Sequence, residues 1–379
     1  MSMAERFVGA PRARAELGWP RLLSFGLLLA AAAIFVTGLL VEAPADRFGW
    51  DFRYQYFAGA EDVIAGRPLY LAPDDVVLDQ ALGQISAYVY PPQLAVALVP
   101  LTPLPIDAAT VLALVASLAA LMGALAVLGV RDPRCYAAVL VWAPTIGALT
   151  VINLTPFLVL ALAVAWRLRA TVWPLAVALG VAASAKLFLW PILVWAVATR
   201  RLRAALLAVV VGVGVTFGAW AVIGFQGLAG YAGLLRKLGE KHAENSYSIV
   251  GMAAEVGLSD AVGLLLTLGA GVGLLVMCVA FARRDDDLRS LTCALGAALA
   301  LSPIVWLHYL ALLLVPLAVA RPRFSWIWLV PALLWVSPQP GYTEGFATFV
   351  PAIAAVVLLA PILARPRQEG VVVGAEVRA

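Results

Sequence analysis

Residues 172–199 read VWPLAVALGVAASAKLFLWPILVWAVAT, twenty-eight residues in which Lys186 is the only charged side chain. Arg167 and Arg169 precede the stretch, and Arg200, Arg201 and Arg203 follow it. Arginine clusters in short membrane loops favour the cytoplasmic side, so the chain must cross the bilayer an even number of times between these two. A single span would strand one cluster outside. The stretch therefore predicts a hairpin of two short helices turning near Ser184, Ala185 and Lys186. Each arm of about 13 residues would rise about 20 Å at 1.5 Å per residue. The tip, Lys186, would end in the outer part of the bilayer.

A membrane setting follows from composition. Of 379 residues, 63% are hydrophobic and 13% charged, against roughly 45–50% and about 25% in an ordinary soluble domain. Apolar runs at 22–41, 110–130, 204–223 and 262–281 approach the ~20 residues needed to cross the hydrocarbon. The chain reads as one integral membrane domain over 1–379. Its net charge of +4 is spread over short arginine-bearing loops and gives no sign of nucleic acid as a partner. Cys135, Cys278 and Cys293 lack CxxC spacing and suggest neither a disulfide framework nor a zinc site.

The same parity condition orders the rest. The first run follows Arg12, Arg14 and Arg21; a signal peptide is the other reading, but some twenty apolar residues with no clear cleavage site favour a span. Residues 42–91 hold eight acids and three bases, which puts this segment outside. Within it Phe52, Tyr56, Gly59, Ala60, Val63 and Ile64 recur at helical spacing while Arg53, Glu61 and Asp62 project elsewhere, predicting a helix along the membrane surface. Residues 91–105 carry five prolines and read as an interfacial loop or short helix, completing a first extracytoplasmic loop over 42–105. Later crossings pair as 135–149 with 154–166, 204–223 with 262–281, 288–301 with 304–320, and 324–336 with 346–364. The expectation is an all-α polytopic protein of about twelve membrane helices, both termini inside. A second extracytoplasmic loop spans 224–260, and a cytoplasmic tail spans 365–379.

On this topology the polar residues that lipid disfavours gather at the outer face. Asp51 heads the surface helix, Lys186 tips the hairpin, and His308 lies five residues, about 7.5 Å, below the turn at Ser302 and Pro303. Asn153, Tyr88 and Tyr90 sit at similar depth. Ionisable groups in membranes are functional candidates by default, yet each has a plainer role open to it. Asp51 could cap the surface helix, Lys186 could snorkel to headgroups, and His308 could be a satisfied core histidine. Trp50, Tyr54, Tyr56, Tyr70, Tyr88 and Tyr90 could form an interfacial aromatic belt.

There is no GxxxxGK[ST], HExxH or GxSxG motif, and the chain has only two histidines, His242 and His308. Nucleotide hydrolysis, zinc hydrolysis and a serine triad are thus poorly supported. A carboxylate, a lysine and a histidine facing one wet pocket fit transfer from a lipid-phosphate donor, the carboxylate taking a proton from an incoming hydroxyl and the cations stabilising the departing phosphate. A donor already attached to lipid explains the lack of a nucleotide-binding domain.

Four motifs then stand out in order: WDFRYQYFAGAEDVIAGRPLY at 50–70, YVYPPQLAVALVPL at 88–101, ASAKLFLWPILVWA at 183–196 and LSPIVWLHYLALLLVPL at 301–317. Together they resemble glycosyltransferase family 87, the polyprenol-phosphate-mannose-dependent α-mannosyltransferases of actinobacteria, with the GT-C membrane fold. The resemblance implies inverting transfer of mannose from a polyprenyl-phosphate donor to a glycolipid or glycan acceptor on the extracytoplasmic side of the cell membrane. It implies Asp51 as general base, in a motif where Gln55 and Tyr56 stand at a common pair of aromatics, and Lys186 and His308 on the donor phosphate. Tyr54, Tyr88, Tyr90, Asn153, Asn245, Tyr247 and Trp306 become pocket candidates. GT-C relatives often use a metal with paired acids, but Glu61, Asp62, Asp74 and Asp75 read as a solvated face, so neither metal nor cofactor is expected. The alternative is a transporter or flippase for a lipid-linked or polyol substrate, which inverted repeats and a charged path through the midplane would favour.

Overall fold

The computed structural model describes residues 19–42, 48–70, 78–79, 84–85, 88–242, 246–337 and 345–364. These are helical apart from connecting turns and one two-residue antiparallel pairing, Leu78 with Ile85 and Asp79 with Gln84. Asp74, Asp75, Asn245 and the tail from 365 lie outside the described residues.

The predicted hairpin is present. Helix Val172–Ala185 rises to Lys186, whose backbone is extended, and after a 3₁₀ turn at Leu187–Leu189 helix Pro191–Ala198 returns. Pro191 sits at the start of the returning helix, where its missing N–H costs nothing. The two feet meet: Arg201 Nε donates to the Arg169 carbonyl at 2.9 Å. Asp287 fastens them from below, accepting from Arg169 Nε at 2.9 Å, Arg201 Nη1 and Nη2 at 2.8 and 2.6 Å, and Trp195 Nε1 at 2.9 Å. Three basic clusters therefore share one end of the molecule.

Further contacts collect the others there. Helices Ile106–Val127 and Thr155–Arg167 both begin beside residues 49–53 and run away from them, with Gly123 lying against Leu160. Their far ends carry Arg131, Arg134, Arg167 and Arg169. Asp132 holds Arg134 and also accepts from the Phe324 amide at 3.0 Å, while Arg289 Nε reaches the Ile362 carbonyl at 3.3 Å. The parity argument thus has a physical counterpart, with arginines clamped by carboxylates and carbonyls at one end and the candidate residues at the other.

Among the described residues three helices, Ile106–Val127, Leu202–Val222 and Asp260–Ala282, are long and apolar enough to cross a membrane. Some of the shorter apolar helices gain reach by tightening. Trp326–Val336 is 3₁₀ along its 11 residues, and at about 2.0 Å per residue it extends about 22 Å against about 17 Å for an α-helix. Close packing ties the hairpin to its neighbour, since a Cβ on Gly180 would stand 2.5 Å from the Ala208 carbonyl oxygen. Any side chain there would push helices Val172–Ala185 and Leu202–Val222 apart.

Several expectations need correcting. The run 135–149 is two helices, Pro133–Leu140 and Ala143–Thr150, because Trp142 is extended and Pro144 opens the second. The carbonyl freed at Val141 accepts from Trp335 Nε1 at 2.7 Å, as buried irregular backbone requires. Residues 304–306 are not helical, Trp306 being extended, and the helical run starts only at Leu307. The surface helix opens as π-helix over Asp51–Phe57 before becoming α-helical at Ala58–Ala65. In it Ile64 is exposed, while Gln55 and Phe57 are buried.

Candidate active site

Asp51 is positioned by a neighbouring turn. The amides of Gly49 and Asp51 donate to the carbonyls of Thr150 and Val151 at 2.7 and 3.0 Å, fixing the start of the π-helix on the end of helix Ala143–Thr150. Gly49 has φ +72° and almost no room for a Cβ, with Thr110 Cγ2 3.0 Å away. After Ile152, itself at φ 52°, the chain reverses. Asn153 then accepts on Oδ1 from the Thr155 amide and hydroxyl at 2.8 and 2.6 Å, which leaves its Nδ2 to donate to Asp51 Oδ2 at 2.7 Å. The side-chain partners of Asp51 are Asn153 and Tyr90 rather than amides of its own helix, so the capping role is not the one it plays.

Tyr90 is held just as firmly. Tyr88 hydroxyl donates to the Pro91 carbonyl at 3.0 Å and accepts from the Ala95 amide at 3.1 Å, closing the YPPQ turn. Tyr70 hydroxyl donates to the Tyr90 carbonyl at 2.7 Å, and Gln55 Oε1 accepts from the Val89 amide at 3.4 Å. The Tyr90 hydroxyl is thereby aimed at Asp51 Oδ2, to which it donates at 3.2 Å.

Lys186 comes to the ring of Tyr90. Its Nζ lies 4.6 Å from the Tyr90 ring centroid and 4.9 Å from that of Tyr309, and it donates to the Tyr309 hydroxyl at 2.9 Å. Gln93 Nε2 donates to the Ser184 carbonyl at 2.7 Å, tying the hairpin tip to the YPPQ turn. Phe188 stacks on Tyr309 at 4.7 Å, and the His308 ring stands edge-on to Tyr309 at 4.9 Å. His308 Nε2 is buried without a hydrogen-bond partner.

Burial pushes the Asp51 carboxyl above the ordinary carboxylate value, against the opposing pull of the Asn153 hydrogen bond, the Lys186 charge and the Tyr90 hydrogen bond. A carboxylate so placed is a stronger base than a solvated one. Burial, reinforced by the Asp51 charge, raises Tyr90 well above a free phenol. Tyr90 therefore keeps its proton and serves as a donor.

Of the pocket candidates, Asn153 and Tyr90 join Asp51, Lys186 and His308. Tyr88 stands behind them as a brace for the turn. Tyr54 is 53% exposed with its ring on Trp50 at 4.6 Å, so it belongs to the surface. Tyr247 donates its amide to the Val305 carbonyl and its hydroxyl bonds with Ser337, and Trp306 packs on His242 at 5.7 Å. Both support the approach to His308. Glu61 is exposed and Asp62 pairs with Arg67 at 2.7 Å. Among the described residues no three His, Cys, Asp or Glu converge as a metal site. Tyr56 and Tyr309 are the additions that spacing alone did not single out for the pocket. Tyr309 could have been found from its place beside His308, whereas the place of Tyr56 depends on the π-helical register of Asp51–Phe57.

A family model described as glycosyltransferase family 87 matches residues 88–303, more than half of the chain. The match takes in Tyr90, Asn153 and Lys186, and lies between Asp51 and His308. No curated protein and no solved structure matches.

Proposed function

The chain belongs to glycosyltransferase family 87, and from that premise we propose that it moves mannose from a polyprenyl-phosphate donor to a glycolipid or glycan acceptor, inverting a β-linked donor to an α-linked product. The membership itself indicates a membrane-embedded glycosyltransferase with a sugar donor and an acceptor. The proposal adds the sugar, the lipid carrier and the roles of the residues. It also places the site on the extracytoplasmic face of the plasma membrane, in a protein of actinobacterial type with about twelve membrane helices.

The observation that carries this reading is the pair of contacts that Tyr90 makes. A buried carboxylate accepts the Tyr90 hydroxyl at 3.2 Å while an ammonium lies 4.6 Å from the ring centroid of the same residue. Base and cation thus share contact with one aromatic residue without forming an ion pair with each other. In the reaction Asp51 takes the proton of the acceptor hydroxyl as its oxygen bonds to the anomeric carbon. The bond from that carbon to the phosphate oxygen breaks, and its electron pair leaves with the lipid phosphate. Lys186 stabilises the charge that develops there. Tyr309 holds Lys186, and the unpaired Nε2 of His308 supplies a further hydrogen-bonding group for the phosphate.

The test is incubation of purified protein in lipid nanodiscs with a panel of polyprenyl-phosphate sugars and membrane glycolipids, read by mass spectrometry. The reading predicts a hexose added to an acceptor only with the mannosyl donor. Uptake of substrate into vesicles without covalent product would instead indicate transport.

A further inference from the structure

The hydroxyl of Tyr56 is buried beside Tyr90 and the Leu154 backbone but makes no hydrogen bond of acceptable geometry to either. Leaving such a group unpaired is destabilising, and phenylalanine would fill the same space without that penalty. The geometry of the segment explains how the hydroxyl comes to be beside the base. In an α-helix, residues five apart point about 140° away from each other at 100° per residue, so Asp51 and Tyr56 would face different ways. The π-helix over Asp51–Phe57 closes its turns over five residues instead of four. It brings both side chains onto one face. Their common neighbour confirms it, because Tyr90 donates its hydroxyl to Asp51 at 3.2 Å and meets the Tyr56 ring edge-on at a centroid distance of 4.8 Å. Such π segments recur at functional sites.

The chemistry beside Asp51 differs from that beside Lys186. Lys186, on the hairpin side, can only donate and suits an anion. Asp51, ionised, can only accept and suits a hydroxyl hydrogen. A phenol beside Asp51 can both donate to and accept from an alcohol, and it would be poorly matched to a phosphate that already has the ammonium. We propose that Tyr56 Oη binds a hydroxyl of the acceptor sugar adjacent to the one that reacts, so that the attacking oxygen is delivered to Asp51. Tyr56 is thus a specificity-determining contact of the acceptor subsite, with a polyhydroxylated headgroup as its ligand. This inference rests on the proposed glycosyl transfer.

The test compares wild type, Tyr56→Phe and Asp51→Asn in nanodiscs, with polyprenyl-phosphate-mannose as donor and octyl α-mannoside and its single deoxy analogues as acceptors. Tyr56→Phe is expected to raise the KM for octyl α-mannoside about tenfold, as loss of one neutral hydrogen bond implies. The donor KM should stay unchanged, and the thermal midpoint should hold or rise because an unpaired buried hydroxyl has gone. One deoxy acceptor should be used equally well by wild type and Tyr56→Phe, identifying the hydroxyl that is bound. Unchanged acceptor kinetics in Tyr56→Phe, while Asp51→Asn abolishes transfer, would overturn this inference and leave the glycosyl-transfer reading standing. Equal loss toward every deoxy acceptor, or a raised donor KM, would also overturn it. Absence of transfer by the wild type would remove the reading and the inference together.

Discussion

The Asn153 amide nitrogen lies 2.7 Å from Asp51 Oδ2, and it points there because the other end of the same amide is occupied by the Thr155 amide and hydroxyl. A residue on the turn before one helix thus sets the direction and the acidity of a carboxylate 102 positions earlier. The hydrogen bond favours the ionised form, against the burial that disfavours it.

Asn153→Ala removes that support, so the Asp51 carboxyl should rise further. The acidic limb of the kcat/KM profile then moves to higher pH, with activity lost first at low pH and recovering as pH increases. Tyr90→Phe should move the limb in the same direction. A limb that stays in place or moves to lower pH would show that Asp51 is not the group being titrated.

Lys186→Met should keep the fold, since a methionine can fill the space between Tyr90 and Tyr309. Loss of the charge that meets the departing phosphate should lower kcat roughly 100-fold or more, the range for removing one preorganised stabilising donor. Steady-state rates across donor concentration check this. Lys186→Arg should recover part of the loss.

Asp287→Ala should act on stability rather than chemistry. It deprives Arg169, Arg201 and Trp195 of a common acceptor at the hairpin feet. For a partly exposed cluster the cost is about 2 kcal/mol, visible as a lower thermal midpoint in detergent. Substrate KM values should be unaffected in the protein that remains folded, because Lys186 is at the other end of the hairpin.

The architecture was legible in the arginines. Arginine clusters in short loops favour one side of the membrane and polar groups avoid lipid, so the spacing of Arg169 and Arg201 about an apolar stretch of fixed length calls for the hairpin and places Lys186. Asn153 was legible for the same reason, being polar at a turn between apolar helices. The surface helix was legible only as a helix. Whether its turns are α or π depends on how Gly49 and Asp51 dock on the carbonyls of Thr150 and Val151, a contact a hundred residues away in the chain. With the π register hidden, Tyr56 reads as one more aromatic of the interfacial belt, and Tyr54, a pocket candidate by resemblance, lies exposed. Tyr88 looks like its neighbour Tyr90 in YVYPPQ, but the turn separates them into brace and donor.

The central claim is that Asp51 is the base that receives the proton of the acceptor hydroxyl, and Asp51→Asn tests it with almost no change in shape. General-base catalysis contributes about 100- to 10,000-fold. Initial rates of sugar transfer from polyprenyl-phosphate-mannose should therefore fall at least about 100-fold in Asp51→Asn, with donor KM and the amount of folded protein unchanged. Turnover equal to that of the wild type in a correctly folded Asp51→Asn would contradict the account.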